Sequence, residues 1–428
     1  SGKEPVTYLH PLLEPCLKKT LGIPLFQEQL MQISIDIADF SPAQADELRQ
    51  AMSSKRSKER MERMHGQLIE GMAKKGVTGE VAQQIAQKME AFAHFGFPES
   101  HAVSFAYLVY ASSWVKLYYP EIFACSLLNS QPMGFYSPHS IVRDAMRHGV
   151  LIVPVSINDS NYDYTLEWRG LHGEVVGKPE KGNHAKPSHY ALRVGLRAIK
   201  GVKRDTCKRI EAQREVKGDF VSMEDFVRRV NPSRDEIEAV ALSGAFNCFG
   251  IDSRRAGLWA AQRLSLMKPE TLPGIIEGTQ APKVVKEPMS KSQEMVADLQ
   301  SMGLAQSSHP TEFFRGVEQH KNTVRINELS KHKHREVLEV IGVITHRQSP
   351  GTAKGIVFLT LEDETGLLNI VCHGPMWKAQ GKIIRDSRVV KIRGVLEIVN
   401  NVINLVAAQV SPLAGESVSS APYSRDFR

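Results

Sequence analysis

The sequence predicts a multidomain fold: a mainly helical amino-terminal region, a helix-hairpin-helix region in the middle, and a small antiparallel β-barrel at the carboxyl end. Three observations carry this. The chain has 428 residues, which as a soft prior suggests about three domains, each able to bury its own core. Apolar residues recur at helical spacing through most of the chain, but after Arg335 they fall into short β-branched runs. Between the two regimes, Ala198-Ile199-Lys200-Gly201-Val202-Lys203 has the form of a tight turn between helices.

The helical region opens at the Gly22-Ile23-Pro24 turn and continues through Gln27-Glu28-Gln29-Leu30-Met31 toward Phe40. Ser41, Pro42 and Gln44 fit N-cap, N1 and N3 of the next helix, because serine accepts a free N–H, proline lacks one and glutamine reaches back. Ile69, Met72, Val77, Val81, Ile85 and Met89 supply further apolar faces. Tyr107, Tyr110, Trp114 and Tyr118 recur at spacings of three and four. This ring-bearing stripe reads as core, since a base-stacking platform needs exposed rings. Gln131-Pro132-Met133-Gly134 marks a break before a short helix from Pro138 to His148. Residues 191–202, ALRVGLRAIKGV, read as two short helical patterns separated by glycine, and a helical pair follows over 221–264. A second, more degenerate hairpin unit over Asn231 to Gly244 makes the motif a tandem.

Repeated Pro, Gly and Lys from Pro269 to Pro288 suggest a connector, with a helical segment near Met295 to Leu304. Five strand-like runs follow: VLEVIGVI, GIVFLTLE, LLNIVC, VVKIRGVLEIV and VINLVAAQV. Asp363-Glu364-Thr365-Gly366 and Asn400-Asn401 suit hairpin turns, and five such strands can close a small barrel. The expected domains are 1–133, 134–268, a connector over 269–333 with short helices, a barrel over 334–413, and a flexible tail over 414–428.

An apolar fraction of 42% fits a folded protein, and no apolar run reaches the roughly eighteen residues of a membrane span. No membrane partner is expected. Lys and Arg total 54 against 47 acids, a net charge of +7 that favours a polyanionic partner. Cys16, Cys125, Cys207, Cys248 and Cys372 form no C-x-x-C pair, which suggests a reducing compartment. The first residues lack a secretory pattern, so a cytoplasmic location is expected.

Nucleotidyl transfer needs clustered carboxylates for two metals, and no D-x-D occurs. Asp36 with Asp39, and Asp159 with Asp163, read as surface residues, and Glu362-Asp363-Glu364 as a solvated turn. His332 and His334 alternate with lysines, which oppose a metal. No metal and no catalytic residue is assigned. No G-x-S-x-G, H-E-x-x-H or P-loop motif appears. The positive signal is the turn at Gly201: such a hairpin presents backbone N–H groups to a DNA phosphate, with Lys200, Lys203 and Arg204 adding charge. A plain helix-packing turn is the competing reading, because Lys203 stands where a second turn glycine is usual. On the barrel, Arg347, Lys354, Trp377, Lys378, Lys391 and Arg393 are candidates for single-stranded DNA, Trp377 being equally a plug for one barrel end. Gln262-Arg263-Leu264-Ser265-Leu266-Met267 has the look of a short clamp-binding peptide, but its helical period favours ordinary packing.

GIPLFQEQLM at 22–31, ADELRQAM at 45–52 and FGFPESHAVSFAYLVYASSWVKLYYPEIFACSLLNSQPMGFY at 95–136 resemble the fingers of bacterial C-family DNA polymerases, the group of the polymerase III alpha subunit. ALRVGLRAIKGV at 191–202 and VALSGAFNCFG at 240–250 resemble that family's tandem helix-hairpin-helix region, and PGTAKGIVFLTLEDETG at 350–366 its OB domain. FPESHAVSFA and LLNSQPMGFYSP are similar to the error-prone DnaE-like branch, ImuC.

The resemblance implies that Arg49 meets an incoming deoxynucleoside triphosphate, with Ser100 and His101 shaping the nearby surface, and that Gln27, Glu28 and Gln29 position the fingers. Two departures weaken the carry-over: Gln50 replaces the second arginine expected beside Arg49, and Pro98 and Glu99 replace a basic stretch. Lys55, Arg56, Lys58 and Arg60 would steer DNA or nucleotide, or form a solvated face. It also implies a carboxyl-terminal fragment lacking the PHP and palm domains. The parent would be a Mg²⁺-dependent DNA-directed DNA polymerase used in damage-induced mutagenesis and translesion synthesis, and the fragment would need no cofactor and be inactive alone. Expected partners are primer-template and single-stranded DNA, an inactive Y-family-like adaptor, ImuB, and the sliding clamp. The alternative is a complete noncatalytic DNA-binding or scaffold protein.

Overall fold

The computed structural model describes residues 5–53, 58–93, 97–133, 136–169, 190–251, 253–266, 287–306, 308–317, 320–353, 355–413 and 425–427; for 51–53, 58–63, 90–93, 352 and 425–427 it describes the backbone alone. Two compact units divide the chain, Ser1–Trp114 and Val115–Arg428.

The first unit is helical: α1 (Glu14–Leu17), α2 (Gln27–Ala38), α3 (Pro42–Ser53), α4 (Lys58–Lys74), α5 (Gly79–Ala93) and most of α6 (Glu99–Tyr118). Leu30, Ile33 and Ile37, one face of α2, pack with Leu48, Leu68, Met72 and Ile85. The start of α3 is capped as its sequence predicts, with Ser41 N donating to Gln44 Oε1 at 2.9 Å and Gln44 N to Ser41 Oγ at 3.3 Å. Helix α6 corrects the expectation for the aromatic stripe. It has no buried residue, and Tyr107 and Tyr110 are 79% and 77% exposed. Val103, Phe105, Leu108 and Val109 are exposed as well, so the helix is apolar around its circumference and the ring stripe alone does not choose an inner face.

The second unit begins with α7 (Pro120–Asn129) and α8 (Pro138–Arg147), which pack together, α7 also against a small sheet. That sheet has the order β1 (Ile152–Val153), β3 (Tyr190–Arg193), β2 (Thr165–Trp168). Strand β3 corrects the helical reading of 191–202: Ala191, Leu192, Val194 and Leu196 are all fully buried, and β3 is paired on both sides. A central strand buried on both faces reads as a continuous apolar run, which period alone does not separate from helix. Helices α9 (Arg204–Lys217), α10 (Met223–Val230), α11 (Arg234–Ser243) and α12 (Arg254–Leu264) complete this core around Phe220, Phe226 and Phe246. Helix α13 (Lys291–Ser301), in the expected connector, packs on α11 and is tied to α12 by the buried Arg254–Asp298 ion pair at 2.6 Å.

The barrel contains the five expected strands, β4 (Val337–Gln348), β5 (Val357–Glu362), β6 (Leu367–Cys372), β7 (Val389–Val399) and β8 (Val402–Pro412). They run β5-β6-β8-β7-β4, and an added β4–β5 pairing closes the ring. Asn400 and Asn401 turn the β7–β8 hairpin with φ of +49° and +65°. A Cβ on Gly394 would come within 2.4 Å of the Val406 carbonyl, so glycine lets β7 and β8 meet closely at their bulge. Sequence reading missed α14 (Gly374–Asp386), inserted between β6 and β7. It also placed 425–427 in a loose tail, whereas β9 (Arg425–Phe427) pairs in parallel with His346–Gln348 of β4.

The acidic turn after β5 is a further correction. Glu362 and Asp363 are buried, not solvated. Arg147 of α8 binds Glu362 at 2.8 Å, Arg315 binds both Asp363, at 2.8 Å, and Glu364, and Thr311 donates to Glu364 at 2.6 Å. The turn is pressed between the barrel, α8 and the connector, so its charges are matched by arginines in place of water.

Candidate nucleic-acid interface

The turn from Ile199 to Lys203 joins a 3₁₀ segment, Leu196–Ala198, to α9. Gly201 has φ +88°, and a Cβ there would find only Ala239 at 3.9 Å, so the turn needs glycine for its backbone angle, not for space. Glu236 on α11, which sequence reading did not single out, organises both hairpins. Its Oε1 accepts from Lys203 N at 3.1 Å and Thr206 Oγ1 at 2.6 Å, and its Oε2 from Ser233 N at 2.9 Å. Burial opposes ionisation of this carboxyl, but the bonds from Thr206, Ser233 and Lys203 outweigh it and hold the group below its ordinary value. Lys203 and Arg204 stand exposed at the start of α9, where the helix end favours an anion, and Arg204 lies 5.2 Å from the Tyr162 ring. Lys200 is committed elsewhere: its Nζ donates to the carbonyls of Leu299 and Gln300, both at 3.3 Å, at the end of α13.

On the barrel, Arg347 Nη2 donates to the carbonyls of Ile384, Arg385 and Ser387 at 2.7, 3.2 and 3.1 Å, closing the end of α14. Trp377 is half-buried, packs against the barrel core, and carries Arg385 over its ring at 5.3 Å. Lys391 and Arg393 share one face of β7, where Lys391 meets Glu339 at 3.4 Å. Lys378 and Arg393 are exposed, and Lys354 lies outside the described residues. In the segment resembling a clamp peptide, Leu264 is fully buried in the helical core.

In the first unit, Gln27, Glu28 and Gln29 meet the start of α6. Gln27 N donates to Phe97 O at 3.1 Å, and Glu28 accepts from Glu99 N at 2.9 Å. Gln29 folds back onto Leu25 N, Phe26 N, Cys16 O and Thr20 Oγ1. Ser100 and His101 are exposed on the first turn of α6, the His101 ring lying 5.1 Å from Phe97 and 4.4 Å from Phe105. Arg49 sits on α3, bound to Asp46 at 2.8 Å. Its hydrogen bond, with that of Gln50, holds the Asp46 carboxyl below its usual value. Lys55 and Arg56 lie outside the described residues, as do the side chains of Lys58 and Arg60.

The carboxylates weighed for metal binding each have a protein partner: Asp36 with Gln32, Asp39 with Lys75, Asp159 with Ser156, and Asp163 with Arg197. They do not fit a two-Mg²⁺ site. Sequence spacing gave no hint of another cluster, in which ligating atoms of His139, His309 and Glu362 lie within 4.8 Å of one another. Burial, then the nearby arginines, pushes His139 down to about 3 and His309 well below the ordinary histidine value. Both rings are therefore neutral. Ala305 N donates to His139 Nδ1 at 3.3 Å. The His139 ring thus accepts at Nδ1, whereas His309 Nδ1 lies 2.6 Å from Thr311 Oγ1, whose own proton goes to Glu364, so His309 donates from Nδ1, and Arg147 holds Glu362. The cluster is a buried polar joint between α8, the connector and the barrel. Of the histidines judged from sequence, His332 meets Glu336 at 2.9 Å, and His334 Nδ1 accepts from Ile398 N at 3.1 Å.

Three family models match this chain: the bacterial DNA polymerase III alpha subunit finger domain over residues 1–76, a helix-hairpin-helix motif over 149–256, and an OB-fold nucleic acid binding domain over 338–413. Among curated proteins, the error-prone DNA polymerase of Cutibacterium acnes is 40% identical over 453 residues, covering 100% of this chain and 39% of its own length. Those of Mycobacterium tuberculosis and Corynebacterium glutamicum are also 40% identical across the whole chain, which covers 37% and 38% of them. The chain spans about two fifths of the length of these relatives. It is homologous from end to end to error-prone DNA polymerases, and its helical finger region, helix-hairpin-helix region and OB-fold follow one another in that order.

Proposed function

We propose that this chain is the DNA-binding and nucleotide-positioning part of an error-prone DNA-directed DNA polymerase of the ImuC branch, used in translesion synthesis and damage-induced mutagenesis. The observation that carries this reading is 40% identity along the whole chain to error-prone polymerases more than twice as long. In it, the α9 turn with Lys203 and Arg204 takes DNA phosphates, and the outer face of β7 with Arg393 takes single-stranded template. Arg49, Ser100 and His101 face the triphosphate, with Gln27, Glu28 and Gln29 fixing the start of α6. The apolar circumference of α6 supports the reading, because a helix hydrophobic all round is normally buried within a larger body. Nucleotidyl transfer and its Mg²⁺ belong to the rest of the longer protein, and an inactive Y-family-like adaptor and the sliding clamp are its partners.

Primer extension tests this. The 428-residue chain with Mg²⁺, primer-template and four deoxynucleotides is expected to extend nothing, whereas the longer protein extends and its Arg49→Ala variant loses incorporation while keeping DNA affinity. Extension by the purified chain, or unchanged incorporation by the variant, contradicts the assignment of roles.

A further inference from the structure

The first residue of α9, Arg204, leans on a tyrosine from the loop before β2: its guanidinium carbon lies over the Tyr162 ring, 5.2 Å from the centroid. The backbone of Tyr162 is pinned at both ends. Its N–H donates to Glu211 Oε1 at 2.7 Å, and its carbonyl accepts from Arg197 N at 3.0 Å. A Cβ on Gly195 would come within 2.7 Å of the Tyr162 carbonyl oxygen, so the loop lies flush against the 3₁₀ turn that leads to Gly201. The ring is therefore a fixed support, and the long arginine side chain is the member of the pair that gains order from the contact.

Several other cations around this turn are committed to the protein. Lys200 serves the carbonyl end of α13. Arg197, also over the Tyr162 ring at 5.4 Å, is bound to Asp163 and to the carbonyls of Asn129 and Gln131 at 2.7, 2.8 and 2.9 Å. Arg209 is divided between the Val230 carbonyl at 3.1 Å and Thr206 Oγ1 at 3.0 Å. Arg204 differs: it is exposed, and among the described residues its guanidinium makes neither a hydrogen bond nor an ion pair. A guanidinium over a ring face keeps its N–H edge for a second partner, and a phosphate takes that edge bidentately.

We propose that Tyr162 is a positioning residue for the phosphate contact of the hairpin: its ring holds Arg204 at the start of α9, so that the side chain is ordered before DNA arrives. This rests on the reading that the α9 turn takes DNA phosphates. Order established in advance removes part of the entropy lost on binding, and the contribution of Tyr162 therefore passes entirely through Arg204.

The test is a double-mutant cycle on the full chain, read by fluorescence anisotropy of a labelled primer-template at low salt. Y162L is expected to lose about threefold or more in affinity, and R204A at least as much. In the R204A background Y162L is expected to cost nothing further, because the arginine it serves is gone. Y162F, which keeps the ring face and drops only the hydroxyl, is expected to restore affinity to within about 1.5-fold of the unsubstituted chain. Thermal melting checks that each variant folds, and Y162M takes the place of Y162L in the cycle if the leucine variant does not. Unchanged affinity in the folded ring-less variant overturns the proposal while leaving the contact of the turn with DNA intact. A loss that persists undiminished in the R204A background also overturns it, assigning Tyr162 to packing or to a contact of its own. So does a loss in Y162F equal to that in Y162L, since the hydroxyl would then be the group that matters. Undiminished binding by R204A, or no binding by the unsubstituted chain, removes the reading of the α9 turn and the proposal with it.

Discussion

Helix α6 and the acidic turn after β5 reverse what their side chains suggest: the helix exposes tyrosines, leucine and valines, while the turn buries glutamate and aspartate. The difference lies in what each segment has to meet. Arg147 and Arg315 reach the turn from α8 and the connector, so its charges leave water for guanidinium groups. Among the described residues α6 has no buried side chain. Burial is thus a property of the partner surface as much as of the residue, and a local sequence window contains only one side of it.

Breaking the acidic turn is expected to have the largest effect. Arg315→Ala strips the cation from buried Asp363 and leaves Glu364 with Arg325 alone, at 3.3 Å, and removal of one partner of a buried pair costs about 3–5 kcal/mol. Urea unfolding of the second unit measures it, and a loss below about 1 kcal/mol would place the turn among surface ion pairs. The substitution also removes an opposing charge from Asp363, already raised by burial, so its carboxyl is expected to titrate higher still.

Glu236→Gln sharpens the comparison from inside the hairpins, since it weakens three hydrogen bonds at one carboxylate. The expected cost is about 1–3 kcal/mol at neutral pH. Its pH dependence has a definite sign. The folded carboxyl titrates below the ordinary 4.5, so its stabilisation is full above that value and disappears as pH falls through the folded one. The stability gap between wild type and variant is expected to be constant near neutrality and to shrink below pH 4.5. A gap that widens on acidification would show that the bonds to Glu236 do not set its ionisation.

The smallest effect is expected on α6. Tyr107→Ser with Tyr110→Ser changes the melting free energy of the isolated chain by no more than about 0.5 kcal/mol, because both rings are exposed. The same pair in the longer polymerase is expected to cost several times more, measured by the same unfolding experiment. Equal, small costs in both would show that α6 stays uncovered there too.

What was legible in the sequence was local and periodic. Ser41 and Gln44 announced a cap, Gly201 a turn, Asn400-Asn401 a hairpin, and five β-rich runs a barrel. Strand β3 was not, because its pairing to β1 and β2 spans about forty residues in one direction and gives a helix-like apolar run. The roles of Lys200 and Arg347 were equally hidden: a basic residue beside a turn or on a barrel strand looks free until the carbonyl ends of α13 and α14 are placed beside it. Glu236 carried a capping-box signature with Ser233, but its reach to Lys203 and Thr206 required the fold.

The proposed function requires the chain to engage DNA through charge at the hairpin turn and on the barrel. Anisotropy titration of a labelled primer-template at several salt concentrations tests it most directly. Saturable binding is expected, with log affinity falling linearly as log salt rises. Lys203→Glu with Arg204→Glu is expected to flatten that slope by about two phosphate contacts. No saturable binding at low salt, or an affinity indifferent to salt and to both substitutions, would contradict the account.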